Sequence, residues 1–481
     1  MTMRRISMSG SVALLALVLS SQGSAETLRE ALAKAYRTNP TLTGARAGQR
    51  ANDENVPIER SRGLPDLGLN GGYTENVKKS SNSFTSPTRF VQGGVTLSVP
   101  IYRGGAVANS MKAAKARVEA GQADLRGTEA SIFSATVAAY MDVIRDSAIV
   151  GLNQSNVRAL EVNLEATKDR FEVGDLTRTD IAQSESRLAV ARSDLRAAEA
   201  RLISSRETYV QLVGDTPDDL QPPPPLPNLP TSPNMAVDIA VNNNPDIAAA
   251  KKARQAAAYE VNVARATRMP TVSATADGGY VDYLNTLDST FAQHATTATA
   301  GVTATFPLFQ GGYPAALTRQ AQARESQSIE QTLEVERSVV AQTRAAYASY
   351  QAANAVIESS QVAVDASSLS LEGVRAENTV GTRTILDILN AEQEYLNAQV
   401  TLVSARRDAY VAGFSLLAAM GQAEAKDLGL DGGALYDPVT NYERVKGRIW
   451  DWDEDPAPVP QSTSTVDTPA QNSTVGPLDK D

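Results

Sequence analysis

One pattern constrains this 481-residue chain more than any other: it is written twice, about 207 residues apart. Gly71-Gly72-Tyr73 returns as Gly278-Gly279-Tyr280, and Pro100-Ile101-Tyr102-Arg103-Gly104-Gly105 as Pro307-Leu308-Phe309-Gln310-Gly311-Gly312. Ala138-Ala139-Tyr140 returns as Ala345-Ala346-Tyr347. Val173-Gly174 with Asp180 returns as Val380-Gly381 with Asp387. Two long copies in register imply one duplicated structural unit rather than a solenoid of short repeats.

Residues 1–25 read as a signal peptide: Arg4 and Arg5, an apolar run from Val12 to Leu19, and the small residues Gly23-Ser24-Ala25 before the expected mature start at Glu26. Without the two arginines the net charge moves from −10 to −12, a balance that argues against nucleic acid as a partner. No later stretch reaches the roughly 18 to 20 apolar residues of a spanning helix. An exported chain of this kind crosses a membrane only as a β-barrel. The absence of cysteine excludes disulfides, thiol chemistry and a lipid-modified N-terminal cysteine. The one histidine, His294, cannot build a zinc cluster.

Each copy opens with helices broken at Asn39-Pro40 or Asn244-Pro245, the second helix running to about Arg62 or Arg268. The period then changes to two. Val91, Gly93, Val95, Leu97, Val99 and Ile101 share one face of a strand, and Val302, Ala304, Phe306 and Leu308 share one face of another. Each copy gives a hairpin, about 66–102 and 271–309, with strands long enough for a tilted membrane crossing. Polar loops lie near 79–88 and 284–297. Pro100 and Pro307 are expected to end the strands, with the glycine pairs redirecting the chain.

A proline-free helical run follows from about Gly105 to Glu172, and copy two repeats it from about Gly312 to Asn378; at 1.5 Å per residue each spans roughly 100 Å. The chain returns along helices with a seven-residue repeat: Ile181, Ser184, Leu188, Ala191, Leu195, Ala198 and Leu202, then Ile388, Ala391, Tyr395, Ala398, Leu402 and Ala405. Small residues at alternate seam positions let backbones approach closely. The expected division is repeat one 26–221, a proline-rich linker 222–234, repeat two 235–421, a short segment 422–452, and a disordered tail 453–481 too poor in apolar residues to fold.

Four strands are too few to close a membrane barrel, which starts at about eight, and an open edge in lipid leaves backbone groups unsatisfied. Strands from several chains meet the requirement. The expected fold is an α+β membrane protein in which three protomers form a twelve-stranded barrel continuous with a long helical barrel.

This order of parts resembles the TolC-type outer membrane channel proteins over about 26–450, most specifically at Val380-Gly381-Thr382-Arg383-Thr384-Ile385-Leu386-Asp387-Ile388-Leu389-Asn390. The resemblance implies a homotrimer in outer membrane lipid with a large periplasmic part. It also implies a periplasmic adaptor and an inner membrane transporter of the ABC or RND type, serving a tripartite efflux pump or type I secretion. It implies a pore constriction at Asp387 and Asn390, where the family often has a second aspartate. Gating at the periplasmic tip falls to Arg383, Thr179, Asp180 and Asn378, the last standing in a tyrosine's place. Gly174 and Gly381 become adaptor-contact turns. Read from the residues alone, Asp387 is a first-turn acid stabilising its helix, Thr177 or Thr384 is a cap, and the glycines supply positive φ. No cofactor or catalytic constellation is expected. The competing function is a periplasmic coiled-coil adaptor or scaffold without a pore.

Overall fold

The computed structural model describes residues 26–78, 86–227, 229–288, 290–430 and 435–475. The signal peptide and most of the first polar loop fall outside them.

The first helices are α1 (Leu28–Thr38), α2 (Pro40–Asp53) and α3 (Asn55–Ser61). Thr27 and Glu30 form a reciprocal capping box on α1, and the Asn39 side chain caps α2 with Pro40 in its first turn. The expected single helix to Arg62 is interrupted at Glu54. Pro57 explains the break: it has no N–H to donate to the carbonyl of Asp53, and its ring crowds that carbonyl. The second copy has no such proline, and there α6 (Pro233–Asn243) is followed by one continuous α7 (Pro245–Ala266).

Strands β1 (Asp66–Glu75), β2 (Arg89–Arg103), β3 (Thr271–Asp282) and β4 (His294–Thr305) form one antiparallel sheet in sequence order. Gly94 of β2 faces Gly279 of β3, so the two hairpins join at their glycine-rich centres. β1 pairs only with β2 and β4 only with β3 among the described residues, leaving two edges open. One face carries exposed apolar side chains, including Leu69, Val95 and Val302, which the register places on the same side, while Thr96, Thr275 and Thr299 line the other. Two sequence expectations need correction. β2 does not end at Pro100 but runs on to Arg103, because a register shift between Pro100 and Tyr102 absorbs the missing donor. β4 starts earlier, at His294, and Phe306 and Leu308 lie beyond its end.

The long hairpins are α4 (Ala106–Glu172) with α5 (Arg178–Val213), and α8 (Tyr313–Thr379) with α9 (Ile385–Ala419). α4 and α8 each have 67 residues, about 100 Å of helix. Gly104 and Gly105 before α4 hold φ of +62° and +80°. A Cβ on Gly104 would lie 2.5 Å from Cβ of Met269, so only glycine fits where the sheet meets the helix.

The main core sits at mid-height, where α1, α6 and the ends of α5 and α9 pack around α4 and α8. The duplicated Ala-Ala-Tyr motif anchors it. The buried Tyr140 hydroxyl donates to the carbonyl of Gln221 at 2.6 Å and lies 2.9 Å from that of Glu26; Tyr347 donates to the carbonyl of Thr231 at 2.9 Å. Each tyrosine thus ties its long helix to the linking backbone beside it, giving a buried polar head a partner.

A final helix, α10 (Pro438–Val445), lies on α2, with Asn441 donating to Asp53 at 2.7 Å. The tail departs from expectation. Residues 453–475 form no helix or strand, as their composition dictates, yet they follow a fixed course. Asp455 pairs with Arg444 at 2.6 Å, Ser462 bonds Thr43 at 2.8 Å, and Arg206 donates to the carbonyls of Asn472 and Thr474. Polar side chains of the helices supply the holding contacts that the tail's own apolar content cannot.

Candidate functional site at the helical tip

Each long hairpin turns at a Val-Gly pair. α4 and α8 end in residues of ordinary conformation, followed by Gly174 and Gly381 at φ of +86° and +81°. Asp175 N–H reaches back to the Arg170 carbonyl at 2.8 Å, and Thr382 N–H to the Glu377 carbonyl at 3.0 Å. These bonds close the helix ends in the Schellman manner. Nothing lies within 4 Å of a Cβ built on either glycine. Backbone conformation, not space, therefore demands glycine here.

The returning helices start with matched capping boxes. Thr177 N–H donates to Asp180 Oδ2 at 2.8 Å while Asp180 N–H donates to Thr177 Oγ1 at 3.4 Å; Thr384 and Asp387 repeat this at 2.9 and 3.3 Å. The backbone N–H and then the hydroxyl of each threonine hold the Asp180 and Asp387 carboxyls below the usual carboxylate range.

Arg383 does not pair with Asp180 within the chain. Its Nε donates to Glu377 at 2.7 Å, and the Asn378 amide donates to the Arg383 carbonyl at 2.8 Å. The reason is local: Asp180 is occupied as a cap one hairpin away, whereas Glu377 stands across the same turn. Asn378 also accepts from Arg170 at 3.5 Å, and Arg170 pairs with Asp175 at 3.0 Å. The first hairpin therefore touches the second through Asn378. Thr179 is exposed and its side chain makes no hydrogen bond among the described residues. Asn390 accepts from Arg187 of α5 at 2.7 Å.

A cluster that sequence reasoning missed lies just above. Glu392 is 5% exposed. It accepts from the Asn163 amide of α4 at 2.8 and 2.9 Å and from Arg375 of α8 at 2.9 Å. A buried carboxylate requires such pairing. The available signal was positional: Arg375 and Glu392 stand nearly equidistant from the second turn, where a helical hairpin brings opposite charges level. Together Glu392 and Asn390 attach α9 to both helices of the first hairpin.

What the tip offers is mechanical and electrostatic. Four helix ends carry two fixed carboxylates and a set of half-exposed polar ties, and the described residues hold no group of side chains suited to a metal. No described helix is long and apolar enough to cross a membrane. A four-stranded sheet with one apolar face and open edges, carried on helical hairpins of about 100 Å, has the form of an outer membrane channel protomer. The solved Campylobacter jejuni CmeC outer membrane channel shares this fold, with a TM-score of 0.72 at 16% identity over 93% of this chain and 98% of that one. The chain belongs to the outer membrane efflux protein family, which it matches over 31–215 and again over 236–422.

Among its relatives, it is 35% identical over 432 residues to the outer membrane efflux protein BepC of Brucella suis, covering 90% of this chain and 93% of the relative. It is 27% identical over 482 residues to the outer membrane protein TolC of Escherichia coli, covering 93% and 95%. The protein is thus an outer membrane channel with a large periplasmic part, a duct for efflux or secretion that transports rather than catalyses.

Proposed function

We propose that three copies of this chain close a twelve-stranded barrel and a continuous helical tube, and that the tube is the passive exit duct of a tripartite efflux pump. The observation that carries the assembly is the pair of open edges on a four-stranded sheet. In lipid these edges must pair, β4 of one copy with β1 of the next, and four strands alone fall short of a closed barrel. The matched succession of elements in the two halves supports one duplicated unit, six of which surround the tube. Efflux is favoured over secretion by the family description and by the efflux relative.

On this reading the tip is the gate. Asp387 of three copies rings the constriction and concentrates negative potential there, with Asn390 one turn higher. Arg383–Glu377, Arg170–Asn378 and the Asn163–Glu392–Arg375 cluster hold the hairpins in the closed arrangement. Thr179 and Asp180 face it from the first turn. The exposed turns at Gly174 and Gly381 meet a periplasmic adaptor, through which an inner membrane transporter of the ABC or RND type supplies energy. Native mass spectrometry of the detergent-extracted chain tests the assembly. A trimer that inserts into planar bilayers as a conducting pore is expected; a monomer or dimer without conductance favours the scaffold alternative.

A further inference from the structure

The chain has two tryptophans, and neither is used by the core, the sheet or the tip. Trp450 and Trp452 are 72% and 83% exposed, beside Ile449 at 67%. Three large apolar side chains on one short turn are costly to leave in water. The turn is also well fixed: Asp453 N–H bonds the Trp450 carbonyl at 3.1 Å, Arg448 pairs with Asp453 at 3.3 Å, and Asp455 pairs with Arg444 and Arg448. The ion pairs clamp the two limbs together below the rings.

Its height in the molecule follows from its contacts. α10 climbs beside α2 and α3, in the direction that leads into the sheet: Asn441 bonds Asp53, and the Lys446 carbonyl accepts from Arg60 at 3.1 Å. Arg60 is six residues from the start of β1 at Asp66, and Trp450 four from Lys446, each at most about 20 Å of chain. After the turn the chain descends again, reaching Thr43 at Ser462. The tryptophans therefore lie beside α3, toward the end of the helical body from which the strands start. Tyr102 at the end of β2 and Phe309 and Tyr313 before and at the start of α8 are exposed at the same end. Tryptophan and tyrosine concentrate where the apolar slab of a bilayer meets its headgroups, because one ring serves both surroundings.

We propose that the Ile449–Trp452 turn is a membrane anchor that seats in the headgroup–acyl boundary of the periplasmic leaflet, its occupant being phospholipid. This rests on the reading that the sheet is inserted in the membrane, and it assigns the C-terminal segment the task of fixing the depth and tilt of the helical body beneath the barrel. Arg444 and Arg448 stand just behind the rings with their charges matched by Asp453 and Asp455, so seating is apolar and does not require an anionic lipid.

Because both tryptophans sit in this turn, their emission reports on nothing else. The full-length channel is reconstituted into phosphatidylcholine vesicles whose acyl chains carry bromine near the carbonyl end, near the bilayer centre, or nowhere. Loss of emission is expected with the shallow bromines and much less with the deep ones, and Trp450→Phe and Trp452→Phe should each retain a quenchable signal. Emission untouched by bromine but open to aqueous acrylamide would place the rings in water and overturn the anchor. Emission untouched by either quencher would place them under a neighbouring copy and overturn it equally. Vesicle flotation separates the two levels: a chain that floats with unquenched tryptophans removes only the anchor, whereas a chain that does not float removes the inserted sheet along with it.

Discussion

Arg383 and Asp387 lie four residues apart and their charges act in different places. The arginine is held by Glu377, each about half exposed, so solvent screens the pair and it adds little to stability. Such a tie is weak enough for a docking partner to open. If it helps to close the tip, Glu377→Ala and Arg383→Ser should raise single-channel conductance alike. Asp180→Ala should act chiefly by opening the capping box of α5, leaving the Thr177 N–H without its carboxylate partner and fraying the first turn. Equal conductance for wild type and both charge-pair variants in planar bilayers would remove Arg383 from the gate. Asp387 closes the capping box of α9 and, in the proposed trimer, is a member of a charged ring. Asp387→Asn keeps an oxygen that can accept the Thr384 N–H and removes the charge. It should move the reversal potential in a salt gradient toward zero selectivity while leaving the fold intact; an unmoved potential means the ring does not select cations.

At the scale of elements, the two long hairpins, the hairpin strands and the linking turns were legible because each rests on a repeated local signal: period two, period seven, or a glycine that must adopt positive φ. The misreadings came where one residue acts on a neighbour several positions away. Pro57 breaks the helix before itself, at the carbonyl of Asp53, and Pro100 is carried through β2 by a bulge that the alternation does not reveal. At the tip the caps were readable from Thr-x-x-Asp, whereas Glu392 was not, because its burial depends on α4 passing alongside α9 from the other half of the chain. That cluster yields its own expectation. Glu392→Gln keeps the volume but weakens the bonds to Asn163 and Arg375, and should cost about 1–3 kcal/mol. Amide exchange would show this as faster opening of α9 around Leu389 to Leu396, without effect on the mid-height core.

The whole molecule has two carboxylate populations with opposite responses to acid. At the tip, Asp180 and Asp387 titrate below their ordinary value of 3.8; the stability they contribute is present above 3.8 and is lost only as pH falls through the lowered values. At mid-height the reverse holds. Glu129 is raised above 4.5 by desolvation, against the opposing bond from Ala425 N–H, and desolvation also raises Asp53 and Asp124 above 3.8. Their favourable contribution is present below those ordinary values and is lost as pH rises through the raised ones. Acidification from neutrality toward pH 4.5 should therefore increase amide protection around α2 and the upper part of α4 while leaving the tip unchanged. Loss of tip protection in that window would show that the caps are not what holds it.

α4 and α8 have the same 67 residues, and this equality makes the chain a ruler. The distance from membrane to tip is written twice in one protomer, along α4 and α8, and the returning helices α5 and α9, of 36 and 35 residues, keep their seams over the tip half only in steps of seven residues. A single heptad changes the reach by about 10 Å. A lengthening confined to one helix would throw its partner out of register, and one confined to one hairpin would leave the tip uneven. The reach of this protein is thus encoded in whole units that change together or not at all, so the span between membrane and tip is among the least adjustable quantities in the sequence.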